Sequence, residues 1–137
     1  MADYPSEFLN AVNDLIDNWE GGYVDDPADP GGETNMGISK RSYPNEDIKN
    51  LTRDRAIEIY YRDFWVKPGI DSIAEDFRAK VFNMGVLMGP QTAKGLLPGC
   101  NSLDEYKQAC VMHFKAIVIR HPVCAKFLHG WERRALA

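Results

Sequence analysis

Apolar side chains recur every three or four positions near the start of this chain. Phe8, Val12, Leu15, Ile16 and Trp19 fall on one helical face, after Pro5 and before Gly21-Gly22. The pattern predicts a helix ending at Glu20. Residues 21–38 are too rich in Gly, Pro and Asp to continue it. There Tyr23-Val24 and residues 34–38 predict a small hairpin across Asp29-Pro30-Gly31-Gly32. Ser39 reads as the cap of a short helix that Pro44 stops. Thr52 reads as the N-cap of a helix carrying Ala56, Ile57, Ile59, Tyr60 and Phe64, broken at Pro68-Gly69. Residues 74–88 predict the most buried helix. Gly85 inside it costs about 1 kcal/mol against alanine, which predicts close packing at that point. A short helix is expected from Pro90 to before Pro98-Gly99. Ser102-Leu-Asp-Glu105 is a capping-box pattern opening a helix with Tyr106, Cys110, His113, Phe114 and Ile117, which His121-Pro122 ends. Phe127, Leu128 and Trp131 mark a last helix. With no repeat, low-complexity run or linker, residues 1–137 read as one mainly α domain with a small β-hairpin.

The length suits one domain with an apolar core, and 45% apolar and 26% charged residues are ordinary for a globular protein. No window reaches the ~18 apolar residues of a membrane span, so no stable membrane insertion is expected. Residues 1–10 lack a signal-peptide pattern. The expectation is therefore synthesis in a cytoplasm, with export, if any, by another route. Cys100, Cys110 and Cys124 are odd in number and irregular in spacing, which points to reduced thiols. Charge is uneven. Residues 1–40 hold nine acidic side chains against Lys40 alone, while the remaining 97 hold 15 basic and 11 acidic groups. No basic stripe interleaved with aromatics appears, so nucleic acid is not an expected partner.

Glu20 is the most informative single residue. A carboxylate at a helix C-terminus faces the negative end of the dipole, and apolar and acidic neighbours also favour its protonated form. Glycoside cleavage needs such an acid for the leaving oxygen, and a second group for the oxocarbenium-like centre. Asp29 is a candidate to orient or deprotonate water or to stabilise that centre, and Thr34 to position the water. The plainer reading of the same residues is a solvated glutamate and an Asp-Pro-Gly-Gly turn. Tyr23, Asn35, Tyr60 and Trp65 are candidate substrate contacts, although aromatics at helical spacing also build cores. The pairs Cys110/His113 and Cys124/His129 have zinc-like spacing, but Cys110 and His113 lie on an apolar helical face, where buried cysteine is commonplace. Neither a metal nor an organic cofactor is expected.

Glu20-Gly-Gly-Tyr, the run from Asp26 through Gly37-Ile-Ser-Lys-Arg41, and Tyr60-Tyr-Arg-Asp-Phe-Trp65 together resemble glycoside hydrolase family 108. The resemblance runs from about Phe8 to Trp65 and returns at residues 127–134. It implies an α+β lysozyme-like fold and an N-acetylmuramidase of the phage-endolysin kind. Its substrate would be the peptidoglycan glycan strand, its catalytic acid Glu20, and it would act as a monomer on the cell wall after release. The Glu–Asp–Thr order is also similar to that of T-even phage lysozymes, with one residue fewer between Asp29 and Thr34. Leu87-Met88 replace a polar pair of the family, and a peptidoglycan-binding segment after Leu97 is shortened or absent. A lytic transglycosylase and a non-catalytic wall-binding module are the rival readings.

Overall fold

Phe8, Val12, Leu15 and Ile16 are buried along one side of the first helix, α1 (Ser6–Asp14), as their spacing requires. The computed structural model describes residues 3–27 and 32–137. Past Asp14 the helix widens into a π turn, Leu15–Trp19, in which the Glu20 N–H donates to the Leu15 carbonyl five residues back at 2.8 Å. The 3.6-residue pattern carries no sign of this widening. Glu20 itself leaves helical geometry at φ −108°, ψ 110°.

Three short strands follow: β1 (Val24–Asp25), β2 (Glu33–Asn35) and β3 (Ile38–Ser39), antiparallel in the order β1-β2-β3. Val24 pairs with Thr34 and Asp25 with Glu33; Thr34 pairs with Ser39 and Asn35 with Ile38. Residues 34–38 are therefore not one strand. Met36 and Gly37, at φ 50° and 82°, make a two-residue turn with positive φ at both positions, the geometry that matches strand twist in a tight hairpin. The expected helix after Ser39 is absent too. Ser39 ends β3, and its hydroxyl accepts the Ser42 N–H at 3.2 Å. Residues 40–47 carry no apolar stripe for a helix to bury.

Thr52 caps α2 (Arg53–Tyr60) by accepting the Arg55 N–H at 3.1 Å. A second π turn, Tyr61–Val66, continues it. These segments turn an aromatic cluster onto α1: Phe8 meets Trp65 at 5.3 Å and Tyr61 at 4.9 Å between ring centroids. Arg53 reaches Asp17 and Asn13 at 2.9 and 2.8 Å.

The chain divides into two compact units, Met1–Lys67 and Pro68–Ala137. The second is helical: α3 (Glu75–Met88), α4 (Pro90–Gly95), α5 (Leu103–Arg120) and α6 (Ala125–Leu136), with 3-10 turns at Ile70–Ser72 and Pro122–Cys124. Glu75 and Asp76 sit at the positive end of the α3 dipole. Gly85 lies against Pro90, where an added Cβ would meet the Pro90 Cα at 3.4 Å, so α4 turns back closely on α3. Ser102 caps α5 through the Glu105 N–H at 3.2 Å. The Glu105 carboxylate bonds the Ser102 hydroxyl, so the capping box forms on one side. Inside this unit the Tyr106 hydroxyl donates to the Ala93 carbonyl at 2.8 Å, and buried Arg134 donates to Asn83 at 2.7 Å. Phe114 stacks on Trp131 at 5.1 Å.

Candidate active site

Glu20 is half-buried at the point where α1 gives out. The next residue, Gly21, accepts the Met36 N–H on its carbonyl at 2.9 Å, which ties the helix end to the β2–β3 turn. The Met36 carbonyl in turn accepts the Tyr60 hydroxyl at 2.7 Å. Gly37 sits at the centre of this arrangement. A Cβ there would lie 2.3 Å from the Tyr60 Oη, 2.9 Å from the Glu20 Cγ and 3.0 Å from the Glu20 Oε2. Helix end, turn and α2 thus converge on the Glu20 carboxyl. The absence of a side chain at Gly37 is what makes room for it. By contrast, a Cβ at Gly21 or Gly22 would meet nothing within 4 Å.

The sequence singled out the Gly-Gly pair and missed Gly37. The available signal was Asn35-Met36-Gly37-Ile38, a two-residue loop with glycine in its second central position.

Thr34 is half-buried in mid-β2, opposite Val24 and Ser39, and strand alternation puts these three side chains on one face. Asp29 lies outside the described residues. Tyr23 is exposed just before β1, and its hydroxyl donates to Glu33 at 2.7 Å. That bond to a carboxylate, with some desolvation, pushes the phenol up to about 12. Its ring remains available to a ligand.

Three proposed substrate contacts stand differently. Asn35 is buried and its amide donates to the Ile48 carbonyl at 3.0 Å, so it fastens β2 to the loop before α2. Trp65 has no exposed surface and packs edge-on to Phe8, which corrects its reading as a stacking platform. Tyr60 is likewise fully buried, and its known partner is the turn beneath Glu20. These three side chains support the site from within instead of facing a substrate.

Around them a polar frame holds the loop of residues 40–52. Arg55 makes a two-point pair with Glu46 at 2.7 and 3.0 Å and also pairs with Glu58. The Arg55 guanidinium holds the Glu46 carboxyl below the usual range. Tyr43 donates to Asp63 at 2.7 Å, and the phenol is pushed well up, first by burial and then by that bond. The Arg62 bond holds Asp63 down.

A mainly helical chain with a small three-stranded antiparallel sheet following its first helix has an α+β lysozyme-like fold. The model of the family described as glycosyl hydrolase 108 matches residues 13–89, more than half of the chain. The chain belongs to that family, as a glycoside hydrolase acting on peptidoglycan. Among solved structures, that of Brucella abortus SagA is similar in fold, with a TM-score of 0.69 and 23% sequence identity. The match covers 96% of this chain and 94% of that one. No curated protein matches the sequence significantly.

Proposed function

We propose that this protein is an N-acetylmuramidase, cleaving the β-1,4 bond between N-acetylmuramic acid and N-acetylglucosamine in the peptidoglycan glycan strand. Glu20 acts as general acid toward the leaving oxygen. The observation that carries the reading is the convergence on Glu20: a half-buried carboxyl at a helix end, braced by the Gly37 turn and Tyr60. A proton donor must be held within hydrogen-bond reach of the oxygen it protonates, and such bracing supplies that constraint.

Thr34 positions the attacking water in this reading, and Asp29 orients it or stabilises charge on the sugar. Tyr23 offers its ring to a sugar face. The whole chain works as one muramidase domain, and release of a phage endolysin onto the cell wall is the setting that suits the activity.

The test is a muropeptide digest by the native chain and by Glu20→Gln, read by mass spectrometry. The native enzyme is expected to leave reducing N-acetylmuramic acid ends, and the variant to lose at least ~100-fold in rate while keeping its melting temperature. Undiminished lysis by the variant would remove Glu20 from the chemistry. Products ending in 1,6-anhydro rings would make the enzyme a lytic transglycosylase.

A further inference from the structure

Residues 106–131 contain Lys107, Lys115, Arg120 and Lys126 but no aspartate or glutamate, in a chain whose net charge is −4. The same stretch carries apolar side chains that the fold leaves in water. Met112 and Ile119, seven residues apart on α5, share its outward face and are 64% and 81% exposed. Val123 in the following 3-10 turn is 76% exposed, and Phe127 near the start of α6 is 48% exposed.

Arg120, His121 and Lys126 stand exposed among them, and the Lys126 ammonium lies over the Phe127 ring, 5.1 Å from its centroid. The turn is closed by the Cys124 N–H on the His121 carbonyl at 2.9 Å. Ile119, Val123 and Phe127 therefore gather with Arg120 and Lys126 at the tip of the α5–α6 hairpin.

A protein partner favours a continuous patch depleted of charge at its centre. Here apolar and cationic side chains alternate almost singly around a reversing chain. An anionic lipid surface accommodates both kinds together: the apolar groups enter the acyl boundary while the Lys and Arg heads stay at the depth of the phosphates. We propose that the α5–α6 tip docks this protein, peripherally and reversibly, on an anionic phospholipid bilayer. Docking and not spanning is meant, since no helix of the described residues is long and apolar enough to cross a membrane. The positive charge supplies attraction that salt screens, and each Lys or Arg near such a surface strengthens partitioning about five-fold.

The experiment is co-sedimentation of the full chain with large vesicles of phosphatidylcholine alone or mixed equally with phosphatidylglycerol, at low and high salt. Binding is expected to the mixed vesicles at low salt, and to fall at least ten-fold on pure phosphatidylcholine or at high salt. The double variants Ile119→Ser/Val123→Ser and Arg120→Glu/Lys126→Glu should each lose at least ten-fold in binding. Both should hydrolyse soluble peptidoglycan fragments at the native rate, which shows that they are folded. Absence of binding to the mixed vesicles overturns the proposal, as does binding unchanged in both variants. A dimer by light scattering that the serine variant dissociates also overturns it, by assigning the tip to a second copy of the chain.

Discussion

Among the described glycines, Gly37 is where an added methyl group meets its neighbours most closely. Its φ of 82° is in the left-handed region, and the Cβ of an alanine would overlap the Tyr60 hydroxyl at 2.3 Å. Gly37→Ala should cost about 1–2 kcal/mol from backbone handedness alone, with the displaced Tyr60 adding to it. Tyr60→Phe removes only the bond to the Met36 carbonyl and should cost about 1 kcal/mol. The matched measurement is thermal melting beside initial lysis rate. If Gly37 positions the carboxyl, its alanine variant loses far more rate than its melting shift explains. A native rate in Gly37→Ala would show that the turn is not needed at the site. At this scale the sequence was legible for Glu20, whose place at a helix end follows from local pattern. It was not legible for Asn35, Tyr60 and Trp65. Whether an aromatic or amide faces ligand or core depends on which element lies over it, and spacing along one helix is the same in both cases.

Among elements, helix starts were the most readable feature, because a cap is a local interaction. Thr52 and Ser102 each accept the N–H three residues on, as their sequence contexts indicate. Thr52→Ala should destabilise the protein by about 1 kcal/mol, seen as a lower urea midpoint at unchanged slope. Ser39 had the same cap chemistry without apolar residues behind it, and no helix formed. A cap assists a helix that burial already favours and does not create one. Both π turns escaped notice for a different reason. Each adds a residue to a turn without disturbing the apolar character of the stripe. Phe8, Val12, Leu15 and Ile16 are buried either way.

For the whole molecule, acid sensitivity is spread over both units with one sign, and sets in at different pH. His113 on α5 is held below its ordinary value of 6.5, first by burial and then by Arg120. The folded protein therefore keeps the imidazole neutral where the unfolded chain binds a proton. Stability is retained above about pH 6.5 and declines as pH falls from there toward the lower folded value. His113→Gln should flatten that decline, so melting temperatures at pH 7.5 and 5.5 should lie closer together than in the native chain. An unchanged difference would assign the acid sensitivity elsewhere. Asp63 and Glu46, both held down by arginines, lose their contribution only under stronger acid. Cys110 is buried and its thiol is pushed up to about 11, so it stays protonated at neutral pH. The mainly α architecture was legible from helix periodicity, and its lysozyme-like form from the resemblance of the Glu20–Arg41 run to glycoside hydrolase family 108. The exposed cationic tip was not, since nothing in the pattern says which side of α5 the rest of its unit will cover.

The widened turn Leu15–Trp19 also fixes how the enzyme tolerates changes in length. Removing exposed Asn18 would let the N–H of the following glutamate close on the same Leu15 carbonyl as an ordinary α turn, with the carboxylate still aimed toward Gly37. The shortened protein would still bury Phe8 and Val12 and still fold. A residue added at the same place would instead carry the carboxylate about 100° around the axis, and under the role proposed for Glu20 that longer chain should fold and fail to lyse.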